Sequence, residues 1–256
     1  MVYIDTHTHN YDEAYTLAEQ DAVIARAVGA GVEWLLQADI STAERDRMWD
    51  VVNRHPDHLK AMLGLYPGSV GKDWKTEIDA LEKYRGRDIV AIGEIGLDYH
   101  FSIEFKEEQK EALRVQLEMA ASMDMPVNIH LRDATGDFME IISDLRHLGL
   151  RGNLHAFSGS IETFRELRKF GDWSVGIGGV VTFKKASLAE TVKEIPLSCI
   201  LLETDSPYLA PTPLRGTTNE SANIPLIAQK IAELKGCSIE EVAQVTTENA
   251  MKLFRL

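Results

Sequence analysis

The stretch Val2-Tyr3-Ile4-Asp5-Thr6-His7-Thr8-His9-Asn10 contains a short β-prone run that ends in two histidines. Alternate side chains of an extended strand lie on one face, so His7 and His9 point the same way and their ring nitrogens can bind one ion. A lone His-x-His fits a polar loop after an edge strand about equally well. The choice between these interpretations depends on whether the rest of the chain supplies matching ligands.

Length and charge bound the class of protein. The chain has 256 residues, of which 45% are hydrophobic, and a single α/β barrel commonly has about this length. We therefore expect one domain over residues 1–256. The 27 basic and 40 acidic residues give a formal net charge of −13, which opposes long-range attraction to nucleic acid. Any polyanionic substrate must be attracted locally.

Cysteine usage and hydropathy indicate the compartment. Cys199 and Cys237 are the only cysteines and lack a paired spacing, so neither a disulfide framework nor a thiolate zinc site is indicated. No apolar run approaches the ~20 residues of a membrane span, and no basic segment precedes an apolar one as in a signal peptide. These features predict a cytoplasmic protein with no membrane association, and no obligate protein partner is evident.

Short β-prone runs alternate with segments of helical periodicity along the whole chain. Strands are predicted near Val2–Asp5, Glu33–Ala38, Leu59–Leu65, Ile89–Glu94, Val127–His130, Gly152–His155, Trp173–Gly178 and Ile200–Asp205. Helices are predicted near Asp12–Val28, Thr42–His55, Lys75–Tyr84, Glu104–Met123, Gly136–His147, Ile161–Phe170, Ala186–Glu194, Ile224–Leu234 and Ile239–Phe254, with Ser102 and Ser238 as helix N-caps. This order predicts a single-domain (β/α)8 TIM-type barrel with an extra C-terminal helix. An open doubly wound sheet is the alternative, but it usually has fewer strands and a glycine-rich turn after the first.

Five of the predicted strands end in side chains that can bind metal. These are His7 and His9, Glu94, His130, His155 and Asp205. In a barrel the carboxyl ends of the strands meet at one mouth, where active sites of this fold lie. Singly, His130 or His155 is more often an ordinary core or rim histidine, but six such groups at one end indicate a metal site.

The ligand types also indicate which ions could bind. Imidazoles and carboxylates suit Zn²⁺, Mn²⁺, Fe²⁺ or Co²⁺, and no cysteine ends a strand at the mouth. Six ligands exceed the needs of one open catalytic ion, whereas a pair of ions ~3.5–4 Å apart uses them all. The other histidines, His55, His58 and His147, are expected in turns or at a helix end, and His100 is a possible neighbour of the site. Gly176-Ile177-Gly178-Gly179 lacks phosphate-loop spacing and is expected to permit close backbone approach.

Five ordered motifs resemble those of the TatD metal-dependent hydrolases, a branch of the amidohydrolase-like barrels, and the resemblance covers essentially the whole chain. The motifs are Ile4-Asp5-Thr6-His7-Thr8-His9, Ile92-Gly93-Glu94-Ile95-Gly96-Leu97-Asp98-Tyr99, Ile129-His130-Leu131-Arg132-Asp133-Ala134, His155-Ala156-Phe157-Ser158-Gly159 and Leu202-Glu203-Thr204-Asp205-Ser206-Pro207-Tyr208-Leu209-Ala210-Pro211.

The resemblance implies a role for each of these ligands. His7, His9 and Asp205 would hold one divalent cation, His130 and His155 would hold the second, and Glu94 would bridge both. The expected cofactors are therefore two divalent cations, Zn, Mn or Mg. Asp205 and Glu94 are the expected catalytic residues, because a carboxylate that touches metal and water can also accept a proton.

Three further residues are expected to contact substrate. Arg132 and Arg215 are candidates for phosphate contact because a guanidinium can bind two phosphate oxygens, although salt bridges with acids such as Asp133 fit them equally well. Tyr66 in Gly64-Leu65-Tyr66-Pro67 stands where many family members have histidine, so a weaker proton donor lies at that position.

The leading hypothesis is a two-metal phosphodiesterase that acts on DNA ends as a 3′-to-5′ exonuclease, as the resemblance implies. A second hypothesis is hydrolysis of a small amide, ester or lactone, which the same centre could perform and which the acidic charge favours. The third is a metal-binding protein without turnover, which the complete ligand set argues against. Fold analogy alone does not choose among them.

Overall fold

Eight strands pair in parallel, each with its sequence neighbour, in a computed structural model that describes all 256 residues. The strands are β1 (Tyr3–Thr8), β2 (Val32–Gln37), β3 (Leu59–Leu63), β4 (Ile89–Asp98), β5 (Val127–Arg132), β6 (Arg151–Leu154), β7 (Asp172–Ile177) and β8 (Ile200–Leu202). The helices are α1 (Leu17–Gly29), α2 (Thr42–Arg54), α3 (Trp74–Leu81), α4 (Lys106–Ser122), α5 (Thr135–Asp144), α6 (Ile161–Leu167), α7 (Leu188–Glu194), α8 (Ile224–Lys235) and α9 (Ile239–Phe254). None of the helices has both the length and the apolar content of a membrane span.

The sheet closes between β8 and β1 at the carboxyl end of the strands. The Asp205 amide donates to the His7 carbonyl at 2.9 Å, and the His9 amide donates to the Ser206 carbonyl at 2.8 Å. Thr8 and Ser206 form a parallel bridge at the same place. The prediction of a (β/α)8 barrel is therefore confirmed, and the open sheet is wrong.

Most of the apolar core lies between the strands and the surrounding helices. A cluster of 57 buried residues fills this outer layer, with Trp173, Leu35 and Ile92 among them. A separate cluster of ten lies inside the barrel and joins β1, β2, β3, β4 and β8 to α9. Alternation along each strand explains both layers, because successive side chains point toward the helices and then toward the barrel axis.

Helix α9 covers the amino end of the barrel. Its Ala250, Leu253 and Phe254 pack into the inner cluster. Thr247 Oγ1 donates to the Val2 carbonyl at 2.9 Å, and Asn249 Nδ2 donates to the Ile200 carbonyl at 2.9 Å. Because these acceptors lie at or before the starts of β1 and β8, α9 seals this end and the opposite mouth stays open.

Several element boundaries differ from the predicted ones, and β8, for example, ends at Leu202 instead of Asp205. Helix α1 begins at Leu17 instead of Asp12, because Thr16 and Glu19 form a reciprocal capping box that fixes the start. Ser102 does not cap α4, because its hydroxyl accepts from the Glu104 amide before the helix begins. Strand β4 runs on to Asp98, past the predicted end at Glu94. The Ser238 cap is confirmed by a 3.1 Å bond from the Glu241 amide.

Replacing Phe254 by Ala should destabilise the protein by about 3 kcal/mol, because it removes a buried ring from the barrel floor and leaves a cavity. Urea unfolding measures the loss. Met251→Ala on the same helix is the matched control, since Met251 is 45% exposed and its truncation should change stability by less than about 0.5 kcal/mol. Equal stabilities for the two variants would show that α9 does not seal the inner core.

Candidate metal centre

The six side chains expected to bind metal converge at the open mouth. They come from five strands or the residues that follow them: His7 and His9 from β1, Glu94 from β4, His130 from β5, His155 from β6 and Asp205 from β8. All six are more than four-fifths buried by side-chain accessibility, and Asp205, at 17% exposed, is the most exposed of them. The structure therefore brings together every predicted ligand.

Four of the groups form the His7 cluster, which consists of His7, His9, Asp205 and one oxygen of Glu94. The two Nε2 atoms of His7 and His9 lie 3.1 Å apart. Glu94 Oε2 lies 3.4 Å from His7 Nε2 and 3.7 Å from His9 Nε2. Asp205 Oδ1 lies 3.6 Å and 3.5 Å from the same two nitrogens.

The other oxygen of Glu94 faces the His130 cluster, which consists of His130, His155 and Glu94 Oε1. His130 Nδ1 and His155 Nε2 each lie 2.9 Å from this oxygen. The two nitrogens are 3.2 Å apart. Glu94 therefore lies between two groups of imidazoles and presents a different oxygen to each.

The distances fit the spacing of ligands around a cation. Bonds of ~2.0–2.1 Å to a tetrahedral Zn²⁺ place neighbouring ligand atoms ~3.3–3.4 Å apart. The five separations measured in the His7 cluster run from 3.1 to 3.7 Å. Those in the His130 cluster run from 2.9 to 3.2 Å. Both clusters are thus compatible with a divalent ion.

The outer nitrogens of three histidines lie against oxygen atoms, which favours the tautomer that is protonated on the outer nitrogen. His7 Nδ1 lies 2.8 Å from Asn128 Oδ1, His9 Nδ1 lies 3.2 Å from the Ala38 carbonyl, and His130 Nε2 lies 2.9 Å from Asp98 Oδ2. A nitrogen that donates to such an acceptor leaves the other nitrogen of the ring as a lone pair. The lone pairs of His7 and His9 would then face each other at 3.1 Å, an arrangement that a cation between them stabilises.

Electrostatics keep both carboxylates ionised. Burial disfavours the charge of Glu94, but His155 and His7, with hydrogen bonds from His130 and His155, hold its pKa well below the ordinary value. The pKa of Asp205 is also lowered, since the imidazoles of His9, His7 and His155 outweigh its burial. The same attraction raises the pKa of His155 despite its burial. The mouth therefore attracts positive charge, whether protons or metal ions.

A local irregularity in β4 aims Glu94 into the barrel. The pairing with β5 shifts register between Ile92 and Ile95, as expected for a bulge. The Glu94 amide donates to the Asp39 carbonyl at 3.1 Å, and the Asp39 carboxylate pairs with buried Arg45 at 2.7 Å. A buried ion pair thus supports the backbone that carries Glu94.

Glycines make room for the site at two places. A Cβ on Gly93 would lie 2.6 Å from the Cβ of Asn128, which contacts His7. A Cβ on Gly176 would lie 1.7 Å from Glu203 Oε2. A Cβ on Gly179 would lie 2.2 Å from the Leu209 carbonyl oxygen, so the expected close backbone approach after β7 is confirmed at this glycine.

Sequence reasoning missed the residues that hold the ligands from behind. Asn128 and Asp98 accept from His7 and His130, and Glu203 Oε1 lies 3.7 Å from His155 Nδ1. Glu203 also accepts from the Ala156 amide. One signal was available: Asn128 and Glu203 are polar residues in apolar strand segments, each two positions before a predicted ligand.

Tyr66 lies beside the His130 cluster. Its ring packs edge-on against His130 with centroids 5.0 Å apart, and its hydroxyl donates to Asp98 Oδ2 at 3.4 Å. Burial and the nearby carboxylates Glu94 and Asp98 raise the pKa of Tyr66 above its ordinary value. The phenol therefore stays neutral and keeps its proton.

The two candidate phosphate contacts lie in different places. Exposed Arg132 lines a cavity of about 290 Å³ at the mouth together with His130, His155 and Asp205. Arg132 makes no salt bridge, and Asp133, the partner considered for it from the sequence, pairs with His100 at 2.8 Å instead. Arg215 lines a separate depression beside Lys184 and Lys185, and it stacks on Phe183. Only Arg132 adjoins the clusters directly.

The remaining histidines lie outside the clusters. His100 pairs with Asp133 and contacts no predicted ligand. His55 pairs with Asp21, while His58 and His147 lie against the carbonyls of Glu33 and Asp144. The prediction that none of these four belongs to the ligand set agrees with these contacts.

Comparison with known proteins agrees with this geometry. A family model described as "TatD related DNase" matches residues 4–255. An uncharacterised metal-dependent hydrolase of Bacillus subtilis, YabD, is 39% identical over 259 residues, which cover 98% of each chain. The 3′-5′ ssDNA/RNA exonuclease TatD of Erwinia billingiae is 33% identical over 246 residues, 93% of this chain and 94% of that protein.

A solved structure extends the likeness to three dimensions. The crystal structure of YJJV, a TatD homolog from Escherichia coli K12, superposes with a TM-score of 0.91 at 27% identity and covers 99% of this chain and 98% of its own. The resemblance predicted from the five motifs is therefore confirmed. With a family model that matches almost its whole length and relatives of the same extent, this chain belongs to the TatD-related DNase family of metal-dependent hydrolases.

Proposed function

We propose that this protein is a two-metal phosphodiesterase that removes nucleotides from DNA ends, most specifically as a 3′-to-5′ exonuclease. The observation that carries the proposal is the position of Glu94, whose two oxygens face two different pairs of imidazoles. The Erwinia billingiae relative, named a 3′-5′ ssDNA/RNA exonuclease, supports the choice of substrate.

Each cluster would hold one divalent cation. His7, His9 and Asp205 would bind the first, His130 and His155 the second, and Glu94 would bridge them through its two oxygens. A donor set of four imidazoles favours Zn²⁺ or Mn²⁺ over Mg²⁺, which prefers oxygen. When bound, such ions would activate water and neutralise charge on the attacked phosphoryl group.

Asp205 is the carboxylate placed to accept a proton. Both oxygens of Glu94 are engaged with imidazoles. Asp205 uses only Oδ1 in its contacts with His7 and His9 and lines the mouth cavity. Its lowered pKa keeps it ionised at neutral pH, so its second oxygen is available as a base. Glu94 would serve catalysis by fixing the two ions.

Arg132 and Tyr66 would contact substrate near the clusters. Arg132 has no carboxylate partner and adjoins the mouth cavity, so its guanidinium can bind two phosphate oxygens. The neutral Tyr66 hydroxyl can donate a hydrogen bond to a substrate oxygen. It replaces the imidazole of many relatives with a group that releases its proton less readily. Arg215 would act farther along the substrate, from the rim.

The metal assignment predicts two ions per chain, measured by elemental analysis after reconstitution and desalting. His130→Ala should reduce the count to about one, because it removes a ligand from the His130 cluster only. His147→Ala is the control and should keep both ions, because His147 is an exposed residue in the turn that follows α5 and belongs to neither cluster. A count of one ion in the unmodified protein would contradict the two-metal assignment.

Asp205→Asn should lose about 10²–10⁴-fold in turnover, because asparagine keeps an oxygen for metal but cannot accept the proton of water. The measurement is the rate of release of a 3′-terminal nucleotide from labelled DNA at matched metal content. Normal turnover with full metal occupancy would exclude Asp205 as the base.

Arg132→Ala should slow DNA cleavage about 10–100-fold and leave hydrolysis of a small neutral ester comparatively unchanged, because an uncharged ester offers the guanidinium no anion. Arg215→Ala should have the smaller effect, since Arg215 lies in a separate depression. Rates on both substrates, with and without chelator, test this order. Metal-dependent ester cleavage without any DNA cleavage would instead support a small-molecule hydrolase.

A further inference from the structure

The loop between β4 and α4 carries an aromatic ring into solvent at the mouth. Phe101 is 82% exposed, more than any other large hydrophobic residue, and Ile103 two positions later is 68% exposed. Scattered exposed apolar residues are common on proteins. The neighbours of Phe101 set it apart, because they connect it to the candidate metal centre.

Phe101 packs directly against the guanidinium of Arg132. The Arg132 Cζ atom lies 5.1 Å from the centroid of the ring, and the His100 ring meets Phe101 edge-on at 4.9 Å. Arg132 is exposed and without a salt bridge in a chain of net charge −13. A flat apolar surface and an unpaired cation therefore lie side by side, which suits a ligand that joins a planar ring to an anion.

Arg132 also lies between two adjoining cavities. The first, of about 290 Å³, contains the exposed side of Asp205. The second, of about 470 Å³, is lined by His100, Arg132 and the hydroxyl residues Thr135, Ser158 and Thr163. Leu131, His155, Phe157 and Ser158 line both. A chain with one phosphate at the metal centre could therefore continue past Arg132 into the second cavity, which is lined by His100 and Arg132, the two residues that contact Phe101.

We propose that Phe101 is a stacking platform for an unpaired base of the nucleotide next to the scissile phosphate, with Arg132 on the intervening backbone. This inference rests on the proposed nuclease function and names the residue that selects single-stranded ends. Stacking needs a base freed from its partner and is tolerant of sequence, because every base has a π-face. A paired end would have to fray before it could engage Phe101.

The test measures affinity in metal-loaded Asp205→Asn protein, whose turnover is expected to be about 10²–10⁴-fold lower, so that the strand stays intact during the measurement. The ligands are a fluorescent single-stranded oligonucleotide and matched strands with an abasic residue at the last, second or third position from the 3′ end. Phe101→Ala should weaken binding of the intact strand about 5- to 150-fold, as expected for loss of one stacked base. Phe101→Trp should restore it, and Ile103→Ala in the same loop should have little effect.

The abasic strands separate stacking from a structural role. If Phe101 stacks on a base, the strand that lacks that base should bind the parent protein about 5- to 150-fold more weakly than the intact strand does. Phe101→Ala and the parent protein should bind this abasic strand equally well. Equal loss on intact and abasic strands, or no loss on either, would overturn the platform. Failure of the wild-type enzyme to cleave any strand would instead contradict the proposed nuclease function, which this binding measurement does not use.

Discussion

The backbone hydrogen bonds between Asp205 and His7 and between His9 and Ser206 hold the first and last strands together. Strand β8 contains only Ile200–Leu202, so these bonds complete the closure beyond the regular sheet. They also place Asp205 against the two histidines of the first cluster. Closure of the barrel and assembly of the site are thus one event, and an open sheet would separate ligands that lie about 200 residues apart in sequence.

The buried ligand side chains of the candidate metal centre are tolerated because each has polar partners, and these partners have further partners behind them. Unpaired buried charge is costly, whereas a charge with fixed partners is retained. Glu94 faces imidazoles, the imidazoles face Asn128 or Asp98, and the backbone of Glu94 binds Asp39. Asn128 and Asp98 therefore restrict the orientation of the imidazoles, and the imidazoles restrict the carboxylate of Glu94. The resulting rigidity favours a cation held at defined positions over one bound loosely at a flexible mouth.

The sequence was sufficient for features that depend on local periodicity. The βα alternation predicts the barrel, and strand-end positions predict that His7, His130 and His155 meet, because all strands of a parallel barrel end at one mouth. Glu94 was assigned to a strand end, whereas it lies inside β4 and reaches the mouth through a bulge. That bulge depends on contacts with Asp39, which no local pattern encodes.

Long-range packing also explains the other omissions. Asp98 supports His130 from a position 32 residues earlier, and Glu203 faces His155 across 48 positions, so no local pattern shows which ligand either residue supports. Arg132 and Arg215 look alike in sequence, but the structure places only Arg132 in the mouth cavity. The contact of Phe101 with Arg132 likewise depends on how two loops meet.

Helix α9 has a consequence for synthesis on the ribosome. Its Ala250, Leu253 and Phe254 fill the floor of a barrel whose eight strands are all translated before them. A nascent chain with every strand outside the tunnel would still expose the inner apolar faces of β1–β4 and β8. Such partly folded species are prone to aggregate and to be bound by chaperones. Completion of the inner core therefore waits for α9, and the vulnerable interval ends when this helix docks.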